Sequence, residues 1–342
     1  MSDQIEGPLP FAAPILGMCH VKKLNIIEEQ TARGYEQMCL ISVRPDGSNS
    51  AYYEISRKLR QCCYGEVRAG VELKPSIVPG LYVRTEMKVA IKISSKTRLV
   101  AHPNPVEDPI REISVLQNME LHDNVIRLVE ALQDQRNIYF ISEFCDGGEL
   151  FQVIKDYGAL SEHQGRKCFR EILLGLTHLK RHSVVHRDLT LENVLLANGR
   201  CKIMDFGMCL LTPRCPTNGH PRRMPPQGPC GKKNYIAPEV LENVNPFFGH
   251  LVDMWSVGVI LFILLTGYPP VEAATALDPR FRKIRDGELD DMLNSWEVKL
   301  SDSAVDLLQK MLKVNPFERL SIDDILSHEW MAEGEDTQNE DT

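Results

Sequence analysis

The chain changes its apolar pattern at Gly147-Gly148, and that break does most to limit the folds open to it. Ahead of the break, apolar residues alternate over short runs such as Glu66-Val67-Arg68-Ala69 and Lys88-Val89-Ala90-Ile91-Lys92-Ile93, punctuated by Pro75, Pro79 and Gly80. A period of two with breakers between the runs reads as an antiparallel sheet. Asp108-Pro109 supplies an N-cap and a proline for the first helical position, ahead of Ile110, Ile113, Val115 and Leu116, so one helix accompanies that sheet. Ile138 to Phe144 is a further strand. Behind the break the spacing is helical almost as far as residue 330.

The most apolar run, Met254 to Tyr268, is 15 residues long with Gly258 inside and Asp253 in front. A membrane span needs roughly 18 or more, so this segment reads as a buried helix. The domain layout expected is an N-terminal extension over 1–51, partly irregular, a β-rich lobe over 52–144, a helical lobe over 145–331, and an acidic, disordered tail over 332–342. Within the extension, the apolar residues from Leu24 to Val43 are helical or extended and are a candidate addition to the β-rich lobe.

Composition enters as exclusions. The net charge of −8 argues against a protein that coats nucleic acid. Ten cysteines without a CxxC pair are too dilute for a disulfide framework and suggest a reducing compartment, so the expected localisation is the cytoplasm, with the nucleus open. Asp3 and Glu6, with Pro8, Pro10 and Pro14, do not make a secretory signal, and Ser2 is not a myristoylation site. The partner expectation is therefore no nucleic acid, no membrane, and a monomer.

Read in order, the chain contains Val89-Ala90-Ile91-Lys92, Glu112 in the helix, His186-Arg187-Asp188 with Asn193 beyond it, Asp205-Phe206-Gly207, and Ala237-Pro238-Glu239. This set resembles the eukaryotic protein kinase family. Asp253-Met254-Trp255-Ser256-Val257-Gly258 and Arg319 continue the resemblance, which covers about residues 52 to 331. The Cys145-to-Leu150 turn and the Asp253 helix look closest to the calcium/calmodulin-dependent-kinase-like group of Ser/Thr kinases. The fold implied is α+β and two-lobed, a small antiparallel N-lobe with one helix and a larger helical C-lobe, with ATP near the Glu143–Cys145 connection and Ser142 at the back of its pocket.

The resemblance assigns roles residue by residue. Lys92, paired with Glu112, holds the α- and β-phosphates of ATP, in a pocket also lined by Gly65, Val67, Ala90, Glu143, Cys145 and Glu149. Asp188 orients the attacking hydroxyl and accepts its proton. Asp205 and Asn193 are hard oxygen donors suited to Mg²⁺. His186 and Asp253 are structural, and Glu239 with Arg319 forms an internal ion pair. Glu149 and Glu192 face basic residues on the N-terminal side of the acceptor, so the protein substrate expected carries Arg there.

Departures from the pattern matter as much. A GxGxxG loop normally covers the nucleotide, but Arg60 and Cys62 stand at its first two glycines and only Gly65 is kept, which implies weaker nucleotide affinity. The usual activating phosphoacceptor position is Gly228, leaving Arg187 without its expected phosphate, and Thr212 and Thr217 are the hydroxyls upstream. Between Met208 and Ile236 there is no acid, five Arg or Lys and six prolines, read as a poorly structured basic loop. Thr190 stands where a lysine is usual and Lys232 where a threonine is usual. The expectation drawn is an exchange, with Lys232 reaching over Asp188 to the transferring phosphate and Thr190 supplying the orienting hydroxyl. Two rival readings stay open, a catalytically impaired kinase-like scaffold and a small-molecule kinase on the same fold.

Overall fold

The computed structural model describes residues 19–23, 38–43, 49–78, 82–101 and 107–332. The Pro-rich start and the acidic segment from 333 onward lie outside them. The chain divides into two compact units, one of Phe11–Leu121 and Ile126–Asp146, the other centred on Gly147–Thr342 and taking in His122–Val125.

The first unit is built on seven strands: β1 (Cys19–Lys23), β2 (Met38–Val43), β3 (Asn49–Gln61), β4 (Gly65–Pro75), β5 (Tyr82–Ser95), β6 (Leu128–Gln133) and β7 (Asn137–Glu143). They close into a barrel in the order β1-β2-β3-β4-β5-β7-β6. Every pair is antiparallel except the closing one, where Cys19 and His20 lie parallel to Leu132 and Gln133. Closure leaves no free sheet edge. Residues on both sides of position 51 thus belong to one sheet. Alternation sends Tyr53, Ile55, Val89, Ile91, Leu132, Tyr139 and Ile141 into one core, with Ala90 and Lys92 on the opposite face of β5. Two helices follow β5, α1 (Lys96–Ala101) and α2 (Pro109–Asn118). Asp108 caps α2 by accepting from the Ile110 N–H at 2.9 Å, with Pro109 opening the first turn.

In the second unit, β8 (Gly148–Glu149) is followed by α3 (Leu150–Tyr157) and α4 (Glu162–Arg181). Ser161 and Gln164 form a capping box at the start of α4. Four short strands come next, β9 (Val184–Val185), β10 (Val194–Ala197), β11 (Arg200–Ile203) and β12 (Leu210–Leu211), then α5 (Pro238–Glu242) and α6 (Gly249–Thr266). The apolar run lies within α6 up to its end at Thr266, and the helix is 18 residues long, because Gly249–Asp253 are helical as well. That is long and apolar enough to cross a membrane by composition alone, yet 89% of it is buried within the protein, as in the core helix of a large domain. The remaining helices, α7 (Pro279–Asp286), α8 (Leu289–Ser295), α9 (Asp302–Met311), α10 (Ile322–Leu326) and α11 (Glu329–Ala332), complete the unit.

The basic segment between Met208 and Ile236 is ordered, which corrects the expectation of a poorly structured loop. β12 pairs with β9, Arg214 bridges to Pro221, and Met224 exchanges backbone bonds with Phe247 at 2.7 and 3.0 Å. The Arg223 guanidinium lies 5.6 and 5.7 Å from the ring centroids of Phe248 and Phe317. Prolines keep the segment out of a continuous ladder, but isolated bridges and cation–π contacts hold it.

Candidate active site

In the first unit, Lys92 on β5 reaches Glu112 on α2, Nζ to Oε2 at 2.8 Å, with side chains 14% and 3% exposed. The low exposure matters, because a pair this deep is geometrically defined where a surface pair would be entropically loose. Val67 on β4 is the register partner of Lys92, and Ala69 of Ala90. Ser142 is buried beside Ala90, its hydroxyl donating to the Ala90 carbonyl at 3.5 Å. Glu143 accepts from the Arg127 N–H at 2.8 Å, and Cys145 is buried.

The β3–β4 turn explains which glycine survives. A Cβ on Gly65 would stand 1.8 Å from the Ile93 carbonyl oxygen, so this glycine answers to the close approach of β5 within the sheet. The Cys62 N–H donates to the Gly65 carbonyl at 2.8 Å and the Gly65 N–H to the Cys62 carbonyl at 3.4 Å. Gln61 Nε2 adds a bond to the Gly65 carbonyl at 2.6 Å. Those two N–H groups are spent inside the turn, where a phosphate-cradling loop would present them outward.

In the second unit, the segment after β9 is suspended from Asp253 of α6. Its carboxylate accepts from the His186 N–H at 2.8 Å and the Arg187 N–H at 2.9 Å, holding Arg187 at φ +68°, a conformation that non-glycine residues adopt only when their surroundings impose it. His186 is wholly buried and its pKa is lowered to about 4 by burial. Its neutral ring is oriented by two bonds. Nδ1 accepts from the Asp188 N–H at 3.3 Å, so Nε2 carries the proton and donates it to the Met204 carbonyl at 3.0 Å.

Asp188 is thereby fixed from beneath. Its Oδ2 accepts from Asn193 Nδ2 at 3.0 Å, and the same amide donates to the Asp188 carbonyl at 2.8 Å. Burial first, and the Asp205 carboxylate second, raise its pKa to about 6, against the downward pull of the Asn193 and Lys232 N–H bonds. A carboxylate poised there is ionised at neutral pH yet basic enough to take a hydroxyl proton.

With both amide protons of Asn193 directed at Asp188, its carbonyl oxygen is the end left for a cation. The Met204 N–H donates to the Asn193 backbone carbonyl at 2.9 Å, which brings the next residue, Asp205, alongside at φ +68°. One carboxylate and one amide oxygen make a hard donor set. That fits Mg²⁺, which takes one or two protein oxygens and completes its shell with phosphate and water.

The expected Lys232–Thr190 exchange is not what the structure forms. Lys232 Nζ pairs with Glu192 Oε1 and lies 5.0 Å from the Phe151 ring centroid and 5.9 Å from that of Tyr235. Carboxylate and ring faces together hold the ammonium beside Glu192 rather than over Asp188. Only the Lys232 backbone N–H is directed at Asp188. The preceding Gly231, at φ +89°, makes that approach possible, since a Cβ there would sit 3.0 Å from Asp188 Oδ1 and the Arg187 carbonyl. Thr190 is buried, and none of the bonds that hold Asp188 comes from its hydroxyl. Glu149 starts α3 and pairs with Leu195 in β10. Sequence reasoning missed Phe151 and Tyr235, ordinary apolar positions of a helix and a loop, and no local signal marks them as partners of a lysine.

Arg187 is buried, its Nη1 donating to the Met208 carbonyl at 3.4 Å while Nη2 has no hydrogen-bond partner. Arg319 has no exposed side-chain surface and meets Glu239 with two bonds, at 2.8 and 2.7 Å.

Comparison with known proteins bears on this arrangement. The model of the protein kinase domain matches residues 76–331. CBL-interacting protein kinase 1 of Oryza sativa subsp. japonica is 38% identical over 280 residues, 81% of this chain and 55% of that protein. CBL-interacting serine/threonine-protein kinase 26 of Arabidopsis thaliana is 36% identical over 279 residues, 81% of this chain and 58% of that protein. Calcium-dependent protein kinase 12 of Arabidopsis thaliana is 35% identical over 254 residues, 73% of this chain and 49% of that protein. The chain spans about half the length of the relatives it matches.

Proposed function

Because the chain belongs to the protein kinase family, in its calcium/calmodulin-dependent-kinase-like Ser/Thr group, we propose that it transfers the γ-phosphate of ATP to a serine or threonine hydroxyl of a protein. The observation that carries this reading is the formed Lys92–Glu112 pair at 2.8 Å. A chain kept only as a scaffold has no need of a buried lysine aimed by a buried glutamate. Lys92 supplies the positive charge for the α- and β-phosphates, and Asp188 orients and deprotonates the acceptor hydroxyl. Asn193 and Asp205 would hold Mg²⁺, whose charge offsets that of the phosphates when it is bound.

A second reading, the scaffold, draws on the turn at Cys62–Gly65, whose inward bonds argue for weak nucleotide affinity. Calorimetric titration of ATP with and without Mg²⁺ separates the two. The kinase reading expects binding that strengthens several-fold with Mg²⁺ and loses that gain in Asp205→Ala. Affinity indifferent to Mg²⁺ in the wild type would favour the scaffold.

Substrate preference is the finer part of the proposal. Glu149 and Glu192 are the carboxylates proposed to meet Arg on the N-terminal side of the acceptor, a guanidinium being able to bind carboxylate with two parallel bonds. Glu192 already carries Lys232, which partly neutralises it. Peptides with Arg three residues before the acceptor are expected to show raised kcat/KM, and Lys232→Thr to widen that preference by something like 3- to 10-fold, the scale of one exposed charge pair. A peptide library without basic preference in either protein would refute it.

A further inference from the structure

The second unit holds a cavity of about 420 Å³ away from Asp188, walled by the end of α4, the residues after β12 and the start of α10. Its charged lining is Lys180, Arg181 and Arg214 against the single acid Asp323, a local positive excess in a chain of net charge −8. Arg214 is held in place, Nε donating to Ser183 Oγ at 2.7 Å and Nη1 to the Gly219 carbonyl at 3.0 Å. The charge of Lys180 is felt across the cavity by His250, whose pKa is lowered by burial first and by that ammonium second.

Thr212 lines the same cavity. Its N–H donates to the Ser183 carbonyl at 2.7 Å, which ties its backbone to the turn after α4. Among the described residues its hydroxyl has no hydrogen-bond partner. Two other threonines serve as contrast. Thr177, also at the cavity, gives its hydroxyl to the Leu173 carbonyl inside α4 at 2.8 Å, and Thr217 is exposed and engaged with Cys215 at 3.1 Å. Thr212 alone presents an uncommitted hydroxyl beside three cations, and Pro213 follows it, the dipeptide that proline-directed protein kinases accept.

We propose that Thr212 is a phosphorylation site whose phosphoryl group is bound in cis by Lys180, Arg181 and Arg214. The donor is ATP, used by a proline-directed protein kinase. The bond from the γ-phosphorus to the bridging oxygen breaks, a bond from phosphorus to Thr212 Oγ1 forms, the hydroxyl proton is released and ADP leaves. The product carries about −1.5 to −2 charge at neutral pH and three acceptor oxygens, enough for several charge-assisted bonds to an Arg/Lys cluster. Its consequence is to pin the segment from Leu210 to Arg222 onto the end of α4, in a chain whose usual phosphoacceptor position is Gly228. This inference stands apart from the catalytic reading, since its readouts do not depend on the chain's own activity.

The test uses the full chain with phosphothreonine installed at 212, followed by ³¹P NMR across pH. The second phosphate pKa is ordinarily about 6, and it is expected to fall by half a unit or more in the cavity. It should return toward its ordinary value in Lys180→Ala/Arg181→Ala and, independently, in Arg214→Gln. Hydrogen exchange over 210–222 should slow on phosphorylation. In a parallel arm, a proline-directed kinase with ATP should label Thr212 of the folded wild type. An unshifted phosphate pKa with unchanged exchange, or labelling confined to other hydroxyls, would overturn the proposal.

Discussion

Asp188→Ala will lower kcat for peptide phosphorylation by about 10²- to 10⁴-fold, the usual contribution of a positioned proton acceptor, while leaving ATP affinity within a few-fold of wild type. The split follows from what Asp188 touches. Its carboxylate is held by the Asn193 amide and the Lys232 N–H, so its removal deprives the acceptor hydroxyl rather than the nucleotide. The wild-type pH profile carries a second signature. With a pKa raised to about 6 by burial and by Asp205, the base is ionised above that value and protonated below it, so kcat/KM falls as pH drops through about 6. That acid limb is expected to vanish from the residual activity of Asp188→Ala. Steady-state kinetics between pH 5 and 8 measure both; a variant within tenfold of wild type, or an acid limb that survives the substitution, would reassign the base.

Arg319→Ala is expected to be the most destabilising single substitution in the helical unit. The guanidinium has no exposed surface and makes two bonds to Glu239, with further bonds to the carbonyls of Lys313, Leu251 and Val314 at 2.8, 2.7 and 3.2 Å. It also lies 5.3 Å from the Trp255 ring centroid. Removing it leaves Glu239, 16% exposed, without its counter-charge, and breaking one side of a buried pair costs about 3–5 kcal/mol. At about 2–4 °C per kcal/mol for a unit of this size, the melting temperature should drop by roughly 6–20 °C. Calorimetry of the full chain checks it. The double variant Arg319→Met/Glu239→Gln should recover part of the loss, because no lone charge then remains. A fall under 3 °C in the single variant would mean that the pair is not structural.

Residues whose partners are set by local pattern were legible in the sequence. Asp108-Pro109 announces α2, and the alternation around Val89 and Ile91 places Lys92 on the face opposite the core, which is why Glu112 can meet it. Residues whose partners come from distant segments were not. Lys232 stands 81 residues after Phe151 in the chain, so the ring that draws its ammonium away from Asp188 could not be read beside it. The Met224–Phe247 bridge that orders a proline-rich loop is likewise a property of two separated segments. Gly65 illustrates a different difficulty, in that one residue type serves two demands. Close approach to a phosphate and close approach to the Ile93 carbonyl both call for glycine, and only the coordinates assign the latter.

The central claim is that this chain moves a phosphoryl group, and the direct measurement is transfer itself. Purified wild-type chain is incubated with a Ser/Thr peptide carrying Arg three residues before the acceptor, with Mg²⁺ and ATP at millimolar concentration to offset the weak affinity expected from the Cys62–Gly65 turn. The account predicts one phosphate per peptide, located on Ser or Thr by mass spectrometry, dependent on Mg²⁺ and absent with Lys92→Ala. Wild-type incorporation no greater than that of Asp188→Ala at saturating ATP would contradict it.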